Sequence, residues 1–207
     1  MRPVTTGIER RTARYPGRYV VAFCGALLLP MLFVLVASCG TQAASPAQAA
    51  ARAAAGFRIE SAAFTQGATI PKRYTCSGEN ISPALTWTQP PAGTRSLALI
   101  VEDPDAPAGT WTHWVVYNLP ARTRALEPHR PKGDNLPGGG LQGITSFGSA
   151  GYGGPCPPPG PAHRYFFRLY ALDTMLSLKP AAAKQDVLRA MKGHILAKAE
   201  LMGRFKR

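Results

Sequence analysis

Apolar and polar positions alternate with period two along several short stretches of this chain, and that period predicts strands. Phe57 to Ser61 alternates, and Ala84 to Trp87 forms a short run between turn signals at Ser82-Pro83 and Pro90-Pro91-Ala92-Gly93. Ser96 to Glu102 is almost continuously apolar, and Thr112 to Leu119 follows after a turn rich in Pro and Asp. His163 to Leu172 is the strongest strand pattern, aromatic and alternating. Near the C-terminus the period changes. Val187, Met191, Ile195 and Ala199 recur every fourth residue with Leu188 and Leu196 beside them, which predicts an amphipathic helix from about Ala182 to Leu201. Between Pro120 and Gly160 the prolines and glycines, with Gly138-Gly139-Gly140 at the centre, predict one long loop. A loop of that length inside a domain usually carries function or is partly disordered. Short strands with a single terminal helix predict a mostly β fold, a β-sandwich with a C-terminal amphipathic helix.

The first 38 residues fit no part of that pattern. Arg2, Arg10, Arg11, Arg14 and Arg18 precede an uncharged run, Tyr19 to Ala37, that ends in Val36-Ala37-Ser38-Cys39. A basic start, an apolar stretch and small residues before a junction predict an export signal. Cysteine directly after Val-Ala-Ser resembles the bacterial lipobox, in which that cysteine carries lipid such as palmitate. Cys39 is therefore the expected lipidation site. The run is also long enough for a permanent anchor, and Arg10-Arg11 gives slight support to a twin-arginine signal. Residues 39–56 are Ala-rich, with almost no large apolar side chain to bury, and are expected to be a tether. The expected domain runs from Phe57 to Arg207, on the extracytoplasmic face of the cell membrane.

Processing changes the charge picture. The chain holds 24 basic and 11 acidic residues; removal of residues 1–38 takes five Arg and one Glu and leaves a net charge of +9. The basic residues are scattered and form no nucleic-acid motif, so no nucleic-acid partner is expected. Attraction to anionic lipid headgroups or cell-wall polymers, or a merely solvated basic surface, accounts for the excess. Of four cysteines, Cys24 leaves with the signal and Cys39 is assigned to lipid, which leaves Cys76 and Cys156 as a pair in an oxidising compartment. A disulfide is expected there, and no Cys-x-x-Cys spacing suggests zinc. No cofactor motif is present.

Candidate chemistry gathers in two stretches. Asp103-Pro-Asp-Ala-Pro107 puts two carboxylates on a stiff turn at a strand end, just before Trp111-Thr-His113. At period two, His113 shares a face with Trp111, Val115 and Tyr117. The second stretch, Gly151-Tyr-Gly-Gly-Pro-Cys-Pro-Pro-Pro-Gly160, leads into His163-Arg-Tyr165, where His163 and Tyr165 share a face. Asp, Trp, two His and Tyr beside a rigid Gly/Pro wall describe a small polar pocket suited to an anion or a headgroup.

At these motifs the chain resembles the phosphatidylethanolamine-binding protein family, in its bacterial Raf kinase inhibitor-like branch. The shared motifs are Cys76-Ser-Gly-Glu-Asn-Ile-Ser-Pro83, Asp103-Pro-Asp-Ala-Pro107 with Trp111-Thr-His-Trp114, Phe147-Gly-Ser-Ala-Gly-Tyr-Gly-Gly-Pro155 and His163-Arg-Tyr165. The resemblance implies a Greek-key β-sandwich and a pocket for phosphate-like anions or phospholipid headgroups. Its residues would be Asp103, Pro107, Trp111, His113, His163 and Tyr165, with a wall from Gly154 to Pro157 and Asp105 alongside. Pro161-Ala162, before His163, is a shorter and more apolar approach than this branch leads one to expect.

The expected role is a non-enzymatic binding protein. The family name also implies an inhibitor or regulator of another protein, here an extracytoplasmic protease or a kinase sensor domain. A hydrolase built on Asp and His is the third reading, but no Gly-x-Ser-x-Gly elbow is present and no serine has an evident base. A metal held by the two histidines and an aspartate is a minor reading, and no metal ligand is assigned.

Overall fold

Two antiparallel sheets face each other across one apolar core in the computed structural model, which describes residues 56–207. The expected signal peptide, Cys39 and the tether up to residue 55 lie outside the described residues. The smaller sheet has the order β1-β2-β5, built from β1 (Ile59–Glu60), β2 (Leu85–Trp87) and β5 (Ala125–Leu126). The larger has the order β6-β4-β3-β7-β8. Its strands are β3 (Ser96–Asp103), β4 (Trp111–Pro120), β6 (Leu141–Gln142), β7 (His163–Leu172) and β8 (Ile195–Phe205). Central β3 pairs with its hairpin partner β4 on one side and with the distant β7 on the other, while β2–β3 and β4–β5 cross between the sheets.

The near-continuous apolar run of β3 is explained by burial on both faces. Leu97, Leu99 and Val101 enter the inter-sheet core with Leu85, Trp87 and Phe167. Ala98 and Ile100 enter a second cluster on the outer face of the large sheet, with Val115, Tyr117, Val187 and Met191. Val187 and Met191 come from the short helix α1 (Lys184–Met191), which covers that face.

The helix expected over 182–201 is therefore eight residues long, and the segment after it is a strand. Gly193 takes φ +85°, a left-handed conformation that stops the helix. From Ala197 the burial then alternates strictly: Ala197, Ala199, Leu201, Gly203 and Phe205 are buried. β8 pairs with β7 along its whole length, from His163 opposite Phe205 to Leu172 opposite Ile195. Ile195 and Ala199, which completed the four-residue spacing, lie on this strand, and Ile195 is exposed.

The long connection from Pro120 to Gly160 is pinned rather than loose. Besides β5 and β6, the buried Gln142 amide accepts from Trp114 Nε1 at 2.7 Å and donates to the carbonyls of Pro131 and Gly133. Tyr152 donates its hydroxyl to Tyr74 O at 2.8 Å, and Cys76 and Cys156 are joined. Such a bridge, closing about 80 residues, restricts the unfolded chain by about 4–5 kcal/mol in the chain-entropy account.

Candidate functional site

The end of β3 and the starts of β4 and β7 meet at one pole of the large sheet, and a cavity of about 470 Å³ opens there. Asp103, Pro107, Trp111, His113 and His163 line it, together with Ala106, Ala108, Phe147, Cys156, Pro157 and Pro158. Five of the expected pocket residues thus meet in one cavity. Tyr165 and Gly154 are near it but not on its wall.

His113 owes its position to an irregularity in β4. Glu102 faces Thr112 and the next residue, Val101, faces Trp114, so His113 is an extra residue in a β-bulge. The bulge breaks the alternation expected from the sequence. Trp114 and Val116 join the inter-sheet core, whereas Val115 and Tyr117 join the outer cluster. The face expected to carry Trp111, His113, Val115 and Tyr117 therefore holds only the first two at the cavity. The His113 ring packs edge-on against Tyr165 (5.2 Å between centroids) and Phe147 (5.4 Å). Its Nδ1 lies 2.7 Å from Gly153 O; since a carbonyl only accepts, Nδ1 carries the proton and Nε2 is left for the cavity. Burial pushes the His113 pKa down, against the smaller opposite pull of its carbonyl partner and of Asp103, so the ring is held towards its neutral form.

His163 has a different partner. Its Nδ1 meets Asp103 Oδ2 at 2.8 Å, both groups buried, and Asp103 Oδ1 accepts the Asp105 backbone N–H at 2.9 Å. The carboxylate fixes the His163 tautomer with Nδ1 protonated and directs its other nitrogen to the cavity. The two aspartates have separate tasks. Asp105 turns away to Arg164, receiving hydrogen bonds from its backbone N–H, Nε and Nη2. The guanidinium contact holds the Asp105 carboxyl down at about 2.

Tyr165 stands behind His113 in the core, and its hydroxyl has no hydrogen-bond partner. Burial and the Asp103 charge both raise its pKa, so it remains a neutral donor. Gly154 holds the wall rather than facing the cavity. A Cβ there would lie 2.4 Å from Tyr74 O and 2.9 Å from Thr75 Cα, and its N–H donates to Asn80 Oδ1 at 2.7 Å. Phe147 was not singled out from the sequence as a pocket residue. A large aromatic in a Gly/Ser loop was the available signal, and it stands at the rim against Trp111, with centroids 5.5 Å apart. Among the described residues, no lysine or arginine lines the cavity. Among the described residues, no group of three His, Cys, Asp or Glu is arranged to hold a metal ion.

Comparison with known proteins covers the same stretch. The family model described as phosphatidylethanolamine-binding protein matches residues 60–206. A "UPF0098 protein" of Methanothermobacter thermautotrophicus is 54% identical over 151 residues, 73% of this chain and 99% of the relative. One from Aquifex aeolicus is 51% identical over 73% of this chain and 89% of its own length. Among solved structures, a phosphatidylethanolamine-binding protein homologue from Chlamydia trachomatis superposes with TM-score 0.68 at 42% identity, covering 73% of this chain and 98% of that one. YbcL of E. coli gives TM-score 0.69 at 34% identity, covering 73% and 99%. The matched stretch makes up 89–99% of these relatives, and in the two solved structures it is nearly the entire folded chain.

Proposed function

The chain belongs to the phosphatidylethanolamine-binding protein family, and from that premise we propose that its cavity binds a small phosphate-bearing headgroup without turning it over. The observation that carries this reading is the pair of imidazoles that enter one cavity with their Nδ1 atoms already committed, one to a carbonyl and one to a carboxylate. Each offers a single nitrogen at a fixed direction, which is a binding geometry. Among the described residues the cavity wall holds no serine, threonine or free thiol, so a covalent hydrolytic route through these groups has no nucleophile there.

A phosphate fits this donor set through a shared proton. Neutral His113 Nε2 accepts from the P–O–H of a monoanion, and the protonated ring donates to a dianion; the pair holds one proton in either case. Phosphate monoesters lose their second proton near pH 6, and the depressed His113 pKa adds no proton above that. Affinity therefore falls as pH rises past neutrality. The Tyr165 hydroxyl is a further donor near the site. At the rim, the Trp111 and Phe147 rings suit the ammonium end of an ethanolamine-type headgroup.

Calorimetric titration of phosphorylethanolamine into residues 56–207 at several pH values tests the reading. His113→Ala should lower affinity roughly tenfold to a hundredfold, the equivalent of one charge-assisted contact of about 1.5–3 kcal/mol. Equal affinity in wild type and in both His113→Ala and His163→Ala would remove the site. We extend the proposal to the N-terminal side, where Val36-Ala37-Ser38-Cys39 supports a lipid tether on the extracytoplasmic membrane face.

A further inference from the structure

The pole of the sheets opposite the cavity has a different chemistry. β3 runs from Ser96 at that pole to Asp103 at the cavity, about 23 Å at the usual strand rise. The β2–β3 and β4–β5 turns, the segment after β7 and the start of β8 all lie at the Ser96 end. Arg95 N bonds Leu172 O, Asp173 N bonds His194 O, and Arg124 reaches Gln89 across the two turns. The described chain also begins there, where Thr88 Oγ1 donates to Gly56 O at 2.7 Å.

Exposed apolar and basic groups share this pole, although basic residues such as Arg164, Arg204 and Arg207 also stand at the cavity end. Met175, Ile195 and Leu196 are 52%, 46% and 38% exposed, which makes three of the five large exposed hydrophobics among the described residues. The exposed Arg58, Arg95, Arg122 and Lys192 belong to segments at the same end, with Arg124 half-buried between Gln89 and the Ala121 and Thr123 carbonyls. The acids nearest are Asp173, engaged by His194 at 2.8 Å, and Glu60, 3.9 Å from Arg58. Apolar side chains at the same end as exposed basic ones match an anionic lipid surface, where the ammonium and guanidinium groups meet headgroups and the apolar tips enter the interface.

We propose that this pole docks on an anionic membrane and so holds the cavity mouth away from that membrane. The chain leaves the domain at the docked end, so a lipid attached upstream of Gly56 needs no reach around the fold. The headgroup taken by the cavity then comes from solution or from another surface, not from the supporting bilayer.

Sedimentation of residues 56–207 with phosphatidylcholine vesicles, with and without phosphatidylglycerol, tests this. The domain should pellet with the anionic vesicles alone and be released by salt. Each basic residue at such a surface contributes about fivefold in partition, so Arg95→Glu with Arg122→Glu should lower it about thirtyfold or more. Ile195→Ser with Leu196→Ser should lower it as well, with melting temperature checked in parallel. Both double variants should keep wild-type affinity for phosphorylethanolamine, and vesicle-bound protein should bind it as free protein does. The proposal is overturned by failure to pellet, by pelleting indifferent to both double variants, or by pelleting lost in Phe147→Ser and kept in the pole variants. Loss of phosphorylethanolamine binding on docking would overturn the orientation. Should neither free nor docked protein bind it, the headgroup reading fails while the docking result stands on the vesicles alone.

Discussion

Replacing Asp103 and Asp105 separately by Asn should have sharply unequal effects, although the two carboxylates are two residues apart. Asp103 is 3% exposed and accepts two hydrogen bonds, from His163 Nδ1 at 2.8 Å and from the Asp105 N–H at 2.9 Å. An asparagine carbonyl can keep one of these donors. Its amide group must then face the other. With the turn N–H retained, the amide points at His163 Nδ1, which can accept only by passing its proton to Nε2. The substitution thus exchanges a charge-assisted bond for a neutral one and reverses the nitrogen that His163 offers to the cavity. Loss of the charge-assisted contact costs about 1.5–3 kcal/mol, which for a domain of this size lowers the melting temperature by about 3–12 °C. Asp105→Asn breaks only an exposed pair with Arg164, whose contribution is screened by water. Thermal melts and nitrogen NMR of His163, followed by phosphorylethanolamine titration, separate the cases. Asp103→Asn should melt lower, show the other tautomer and bind more weakly, while Asp105→Asn stays close to wild type. Equal melts and an unchanged His163 tautomer would refute the assignment of Asp103 as the group that orients the ring.

Two further expectations follow from close contacts and from the N-terminal motif. Gly154→Ala drives a methyl into backbone atoms of Tyr74 and Thr75 and should destabilise by about 1–3 kcal/mol in urea denaturation; a neutral result would mean that the Gly154 wall does not pack as described. Cys39→Ala should leave the exported precursor uncleaved and free of lipid by intact mass, and an unchanged mature mass would rule out the tether.

Much of the fold and part of the site were legible because both follow short-range rules. The alternation of His163 to Leu172 reflects one strand between two others, and the Asp-Pro-Asp-Ala-Pro turn sits at a strand end as its prolines require. The terminal helix was overcalled because Val187, Met191, Ile195 and Ala199 satisfy a four-residue spacing that only the first two use. Gly193 was the stop signal, and the alternation of Ala197, Ala199 and Leu201 with Lys198 and Glu200 was the strand signal beyond it. Other features had no local signature. Nothing near Gln142 announces that its amide will bind Trp114, Pro131 and Gly133, because those partners are set by tertiary packing. Gly154 and Tyr165 are expected among the pocket residues but stand near the cavity and off its wall, because their contacts with Tyr74 and His113 depend on how separate segments stack.

The bulge in β4 sets the phase of the cavity residues apart from that of the strand behind them, although His113 still rests on Tyr165 of the core. A second one follows near Asn118, which takes φ +56° and bonds the Leu176 backbone through both ends of its amide. Between these two irregularities the strand keeps strict phase, and beyond each the phase resets. Loss of the single residue at 113 would bring Thr112 next to Trp114, yet Trp114 and Val116 would stay in their core sites. Ligand preference can therefore drift through the three or four residues ahead of Trp114 while the phase of the strand behind them is kept, with Tyr165 as the one core side chain shown in ring contact with His113 at the joint. One sandwich can host a lineage of differently shaped pockets, each changed by adding, removing or exchanging residues at that joint.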